Sequence, residues 1–307
     1  MTINELQTLH VDKENDQVNY NDELHKYWVK ESNQFCISVT TLIHQFTNFD
    51  EDFWSSYKTL EKLTGDNFAR IKPILLKTKN FKLEYLNQFH ISVETFTEAK
   101  NSLLKEWALA RETSCIRGTQ IHKEHELEHL AGHTQELKEL GFSANNNFKV
   151  KTSNKLEIGV QGVYPELLLS YIDPDKKLRL AGQADLVIVD GFDVFILDYK
   201  TNKKIDMKSF YDSKTKSSTM LKYPLNTIPD SNFWHYTLQL SLYAWMIQQI
   251  DSRFNIKLLQ LIHYDHDGQK TLYECKYLKN DVIRMLAYYK KQIDYEEFKR
   301  AREKIIF

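Results

Sequence analysis

The chain has 307 residues, with 41 Lys plus Arg against 42 Asp plus Glu and a formal net charge of −1. Hydrophobic residues make up 42% and charged residues 27%, which excludes collagen, disordered tails and disulfide-stapled miniproteins and allows one large domain or two ordinary ones. No apolar run approaches the roughly 18 residues of a membrane span, and the opening MTINELQTLHVDKEND lacks a signal-peptide pattern. An intracellular, cytoplasmic protein with no membrane contact is expected. The cysteines Cys36, Cys115 and Cys275 are far apart, without C-x-x-C, so reduced thiols are expected rather than a zinc site or an iron–sulfur cluster. Balanced charge leaves a nucleic-acid partner open, because an acidic metal site can offset a basic groove.

Residues 18–40 read as a hairpin region, with Tyr27-Trp28-Val29 and Phe35-Cys36-Ile37 flanking the polar turn Glu31-Ser32-Asn33. Ser38 and Thr40 offer capping hydroxyls before Leu42, Ile43 and Phe46. Residues 50–112 read as mostly helical. Lys72, Lys77, Lys79 and Lys82 decorate this stretch, as a solvated face or a phosphate-contacting surface. Gly118 interrupts the helical pattern, and Thr119 is placed to cap a new helix running to about Leu130. Strands are expected at Val163–Ile172, Leu178–Asp190 and Asp193–Lys200, broken by Asp173-Pro174-Asp175-Lys176 and by Asp190-Gly191. A lysine-bearing loop at 201–230 precedes an amphipathic helix at 234–250. Strands at Lys257–Tyr264 and Lys270–Tyr277 and a helix from about Asp281 close the chain. This order predicts an α/β fold with a mixed central sheet flanked by helices, divided into an N-terminal hairpin and helical region (1–115) and a core (116–307).

The strongest local signal is Gly182-Gln183-Ala184-Asp185 followed by Asp198-Tyr199-Lys200-Thr201. Residues two apart in a strand share a face, so Asp198 and Lys200 project together. If Asp190-Gly191 is a two-residue turn, Val189 pairs with Phe192 and Asp185 with Ile196, which puts Asp185 on the same face. Diagonal neighbours across such a pair lie roughly 7–8 Å apart at Cα, within reach of one shared divalent cation. Val194 and Ile196 make that face apolar, so the acids need a cation, whether a metal or Lys200. The alternative is an Asp–Lys ion pair at a sheet end.

Other polar residues sit in unusual settings. His122 lies one turn into the expected helix, Glu166 is in an apolar strand, and Gln239 and Tyr243 are four apart on one helix face. Taken singly, they read as a core histidine, a paired glutamate and a polar stripe. The ordered set Arg117-Gly118-Thr119-x-x-His122, Glu166, Gly182-x-x-Asp185, Asp198-x-Lys200-Thr201 and Gln239-x-x-x-Tyr243 resembles the PD-(D/E)xK nuclease superfamily. It looks most like the RecB-type exonuclease branch, which includes phage exonucleases and the mitochondrial genome maintenance exonuclease. His25-Lys26-Tyr27 and Ser38-Val39-Thr40 also look like the opening segment of such phage proteins. The resemblance covers about residues 20–250. It departs from the family in lacking a proline before Asp185 and in lacking the cysteines of iron–sulfur relatives, so no iron–sulfur cluster is expected.

The resemblance implies an Mg²⁺-dependent deoxyribonuclease, with Mn²⁺ able to substitute, acting on free or single-stranded DNA ends. Replication, recombination or repair would be its setting, with proteins of those processes as partners and the host cytoplasm as its location if phage-encoded. It implies that Asp185 and Asp198 ligate metal, with the Tyr199 carbonyl a further ligand. His122 and Glu166 would complete a site for a second ion or its waters. Lys200 would orient and help deprotonate the attacking water or stabilise charge on the phosphate. Thr119, Thr201, Gln239 and Tyr243 would support the site or touch the substrate. The loop at 202–223 carries Lys203, Lys204, Lys208, Lys214, Lys216 and Lys222 with Phe210, Tyr211 and Tyr223, which fits a single-strand track or a solvated loop.

A rival motif is His125-Glu126-Leu127-Glu128-His129, which matches the H-E-x-x-H of zinc metallopeptidases. Position 135 is Gln where a metzincin would have a third histidine, and Glu128 adds a charge. A third reading is a non-catalytic nucleic-acid-binding module on a degenerate nuclease fold, against which the intact Asp185, Asp198 and Lys200 speak.

Overall fold

The structure is a computed structural model and describes residues 9–132, 135–142, 148–212 and 217–306. It opens with an antiparallel sheet of β1 (Lys13–Glu14), β2 (Val18–Asn21) and β3 (Lys26–Val29), and β4 (Ile37–Ser38) runs into α1 (Val39–His44). Next come α2 (Glu51–Thr64), a 3-10 turn at Gly65–Arg70, α3 (Lys72–Thr78), a 3-10 turn at Leu83–Phe89, and α4 (Val93–Leu130). After α5 (Gln135–Glu139) and β5 (Lys149–Val150) follow β6 (Gly162–Ile172), β7 (Arg179–Asp190) and β8 (Asp193–Lys200). The short β9 (Tyr211–Asp212) and β10 (Ser217–Ser218) precede α6 (Asn232–Ile250), β11 (Asn255–Tyr264), β12 (Lys270–Glu274) and α7 (Lys279–Ile306). Among the described residues, no helix is long and apolar enough to cross a membrane.

Contacts divide the chain into two compact units: residues 1–47 with 120–307, and residues 48–119. The smaller unit is helical. Asp50 caps α2 by accepting from the Phe53 N–H, and Phe53, Tyr57 and Leu60 recur at helical spacing on its buried face. They pack with Phe68, Ile71, Leu75, Leu86 and Phe96. Lys72, Lys77, Lys79 and Lys82 are all exposed, and the Lys79 ammonium lies 4.8 Å from the Trp54 ring centroid.

The larger unit is built on a mixed sheet in the order β12-β11-β8-β7-β6-β5. β6, β7 and β8 form an antiparallel meander, while β11 runs parallel to β8 through the α6 crossover. Alternation sorts the strands into two cores. Val187, Val189, Val194 and Ile196 join α1, α6 and α7 residues on one face. Leu186, Ile188, Leu197 and Tyr199 join Leu137, Val163 and Ile262 on the other. The mixed α/β fold expected from the sequence is present. The N-terminal hairpin belongs to the sheet-bearing unit, because β4 pairs in parallel with β7 at Leu180 and Ala181. As read from its hydroxyl, Ser38 caps α1 by accepting from the Thr41 N–H at 3.1 Å.

Two local expectations need correction. Gly118 does not interrupt the chain, and α4 runs unbroken from Val93 to Leu130, so Thr119 is an exposed mid-helix residue and not a cap. One interior glycine costs a helix only about 1 kcal/mol relative to alanine, which the length of α4 absorbs. The β7–β8 register is also shifted by two: Asp190 pairs with Asp193 and Val189 with Val194. The turn is therefore Gly191-Phe192, with Gly191 at φ +65° where glycine alone is unstrained. A shift of two preserves side-chain parity, so the shared face of Asp185, Asp198 and Lys200 survives the error.

Candidate active site

One edge of β7 is shared by two strands. β4 covers Leu180 and Ala181, and β8 covers Leu186 to Asp190. Between them, Gly182-Gln183-Ala184-Asp185 has no ladder partner on that edge among the described residues. Continuing the β7–β8 register places Asp185 opposite Asp198. The ladder instead gives way there, and the Asp185 Oδ2 accepts the Tyr199 N–H at 2.7 Å. The unpaired stretch is thus the sequence motif itself, and its acid satisfies the backbone donor that the ladder leaves behind.

Glu166 lies on the other side. Pro165 pairs with Leu186 and Leu167 with Ala184, so Glu166 falls opposite Asp185. Its φ is +48° inside β6, a left-handed conformation that costs a non-glycine residue roughly 1–3 kcal/mol and persists only where surrounding structure enforces it. The kink takes Glu166 out of the ladder and brings it to His122, whose Nδ1 lies 3.7 Å from Glu166 Oε1 and 3.3 Å from Asp185 Oδ1. The ligating atoms of His122, Glu166 and Asp185 all lie within 4.8 Å of one another.

Asp198 and Lys200 sit beside this group on the α6 face. They form an ion pair, 1% and 15% exposed respectively. Gln239 donates to Asp198 Oδ1 at 3.2 Å and approaches the Tyr243 hydroxyl at 3.3 Å. Tyr236 covers Lys200, with the ammonium 4.7 Å from its ring centroid. Tyr236 was not singled out from the sequence. The 236-239-243 spacing, one stripe of α6, was the available signal.

The electrostatics follow from burial and neighbours. Burial and then the Asp185 charge push the Asp198 carboxyl up to about 6. Burial and Asp185 likewise raise Glu166, with His122 opposing. Burial would raise Asp185, yet His122, Lys200 and the Tyr199 N–H together hold it below the usual range. Asp185 pushes His122 up to about 10. Burial would lower Lys200, but Asp198 and Asp185 outweigh it and hold the ammonium charged. Three carboxylates therefore face two cationic groups in a largely buried cluster, which favours an added cation. Asp198 is not one of that group of three and is engaged by Lys200 and Gln239.

Thr201 follows β8 directly and is half-buried, while Lys203 and Lys204 are exposed, with Lys204 paired to Asp206 at 2.8 Å. Lys208, Phe210 and Tyr223 are exposed, and Lys214 and Lys216 lie outside the described residues. Thr119 precedes His122 by three residues on α4. His125 and His129 do not join a group of three or more potential metal ligands among the described residues. His129 is 2% exposed and faces the Tyr199 hydroxyl, and Glu126 pairs with Lys13 at 3.0 Å.

Gly182 fixes how closely α1 and α6 approach this edge. A Cβ there would lie 2.9 Å from both the Tyr243 ring and Val39 Cγ2. Gly182→Ala should therefore cost about 1–3 kcal/mol of stability by overpacking and displace Tyr243 from Gln239. Urea unfolding checks this: a loss below about 0.5 kcal/mol, the range of ordinary surface substitutions, would show that the contact has room to give.

No curated protein matches this chain. A solved structure described as "Crystal structure of SSO0001" is 20% identical, covering 62% of this chain and 68% of that one at a TM-score of 0.31. The sequence profile of the PD-(D/E)XK nuclease superfamily matches residues 84–305, a span holding His122, Glu166, Asp185, Asp198 and Lys200. With most of its length under that profile, the chain belongs to the PD-(D/E)XK nuclease superfamily.

Proposed function

We propose that the protein is an Mg²⁺-dependent DNA exonuclease, with Mn²⁺ able to substitute, hydrolysing phosphodiester bonds from free or single-stranded ends. Its setting would be DNA replication, recombination or repair in the cytoplasm. The observation that carries the reading is the convergence of His122, Glu166 and Asp185 beside the Asp198–Lys200 pair. PD-(D/E)XK nucleases use divalent metals, and this donor set fits one: carboxylate oxygens dominate, as a hard cation requires, with one imidazole.

His122, Glu166 and Asp185 would hold the ion, with Asp198 and the Tyr199 carbonyl within the same local structure. A bound divalent ion neutralises phosphate charge and acidifies its water. The chain's own groups do the rest. Lys200, kept charged by Asp198 and Asp185, is placed to hold the attacking water or to stabilise charge on the phosphate oxygens. Gln239 fixes Asp198, and Tyr236 shields the ammonium from water. The exposed Lys203, Lys204 and Lys208, with Phe210, offer phosphate contacts and a stacking surface for a displaced strand.

The test is digestion of end-labelled linear and covalently closed circular DNA, single- and double-stranded. Linear single strands should be shortened from an end with Mg²⁺ and left intact with EDTA. Closed circles should resist. Cleavage of circles at the linear rate would replace the exonuclease reading with an endonuclease one, and EDTA-resistant digestion would remove the metal from it.

A further inference from the structure

The His-Glu-x-x-His pattern of α4 takes no part in the site described above, yet both its histidines hold one residue of that site. His122, His125 and His129 follow at spacings of three and four, so they share one helix face. His122 meets the acids. His125 and His129 both meet Tyr199, the residue between Asp198 and Lys200. The His125 ring stacks on the Tyr199 ring with centroids 4.1 Å apart and planes at 10°. His125 also packs on Tyr264, centroids 5.5 Å apart. His129 Nε2 lies 3.0 Å from the Tyr199 hydroxyl, which donates to Glu136 Oε1 at 3.1 Å. The hydroxyl has one proton and gives it to Glu136, so its oxygen accepts from His129 Nε2–H. Glu136 and His129 are 6% and 2% exposed.

This clamp sits where β8 has lost half of its support. The β7 ladder ends at Leu186–Leu197. Beyond it, among the described residues β8 is paired only with β11, and its other edge is held by the hydrogen bond from Tyr199 N–H to Asp185. Strand alternation puts the Tyr199 ring on one face and the Asp198 and Lys200 side chains on the other. Fixing the ring therefore fixes the pleat that aims both groups. The same residue sets the Asp185 carboxylate through its main chain.

We propose that His125, His129 and Glu136 are positioning residues that act through Tyr199 to aim Asp185, Asp198 and Lys200, and that the His-Glu-x-x-His pair is not a zinc site. This inference rests on the nuclease reading for its effect on cleavage, but its effect on metal binding is measured separately.

Mn²⁺ affinity is read by calorimetry and DNA cleavage by kcat and KM, on the full chain. His129→Leu removes the donor, and Tyr199→Phe removes only the hydroxyl. Each should weaken Mn²⁺ binding and lower kcat by about tenfold, the scale seen when groups orienting metal ligands are removed, with KM for DNA unchanged. His129→Gln, which offers a donor at the same reach, should restore both. Leu75→Ala, in the core of the helical unit, serves as a control for lost stability alone and should keep wild-type Mn²⁺ affinity. If His129→Leu does not fold, Tyr199→Phe and His129→Gln carry the comparison.

Wild-type Mn²⁺ affinity and kcat in folded Tyr199→Phe would overturn the proposal. So would stoichiometric Zn²⁺ binding that is lost in His125→Ala. Weakened Mn²⁺ binding in a protein that cleaves no DNA would uphold the positioning role while removing the nuclease reading. Cleavage and Mn²⁺ binding equal in all variants would do the reverse.

Discussion

Replacing Lys200 with methionine should lower DNA cleavage by roughly 10²–10⁴-fold, the range for a group that moves a proton or stabilises developing charge. Methionine keeps an unbranched apolar stem and removes the ammonium that lies over Tyr236. Asp198→Asn should cause a loss of similar size, because it removes the charge while retaining an acceptor for Gln239. The two groups contact each other, so the double variant should lose little more than either single one. Folding should survive. Removing one member of a buried ion pair leaves the partner uncompensated at about 3–5 kcal/mol, but in Lys200→Met the stranded partner is Asp198, whose carboxyl is already pushed up to about 6 and can take up a proton instead. For Asp198→Asn the sign is favourable. Its carboxyl is pushed up to about 6 by burial and Asp185, so its charge opposes folding at neutral pH and neutralising it relieves that strain. Circular dichroism and urea titration establish the folded state, and initial rates on end-labelled DNA give the loss. Cleavage within about threefold of wild type in both single variants would remove Asp198 and Lys200 from the reaction.

The same pair shows what a sequence makes legible. Asp198 and Lys200 share a face by strand alternation alone, and no register is needed for that. Placing Asp185 with them needed only parity, which is why an error of two in the turn left it intact. The three strands of the meander were readable because their apolar runs end at strong turn residues such as Asp173-Pro174 and Gly191. What was not readable depends on non-local contacts. The φ of +48° at Glu166 is imposed by the surrounding sheet, since nothing in Pro165-Glu166-Leu167 calls for it. The continuity of α4 through Gly118 reflects a long helix that outweighs one poor residue. The role of His129 was masked by a motif that names a different chemistry. Its partner Tyr199 is seventy positions away, and only the fold brings them together. Asp198 falls outside the His122-Glu166-Asp185 group for a related reason: spacing gives the face a carboxylate occupies, while its partner on that face is decided by packing from α6.

Adding Mn²⁺ should raise the melting temperature of the wild-type protein. A ligand bound only by the folded state adds about 2.7 kcal/mol at a free concentration one hundred times its Kd. For a protein of this size that corresponds to roughly 4 °C. The gain has a specific source. Glu166 and Asp198 are both held above their ordinary range by burial and by the charge on Asp185, and a divalent cation in the cluster relieves that repulsion. Asp185→Asn should lose most of the Mn²⁺-dependent rise, because Asp185 is the carboxylate common to His122, Glu166 and the Tyr199 N–H. Its amide retains an acceptor for that N–H, so the β8 edge stays anchored and the loss reports ligation rather than unfolding. Without metal, Asp185→Asn should be less stable than wild type, since His122 and Lys200 hold the ionised form of Asp185 favourably in the folded state. Differential scanning calorimetry with and without Mn²⁺ measures both effects without any DNA present. An equal Mn²⁺-dependent rise in wild type and Asp185→Asn would move the ion away from the His122-Glu166-Asp185 group, and no rise in either would leave the cluster without a metal-binding role.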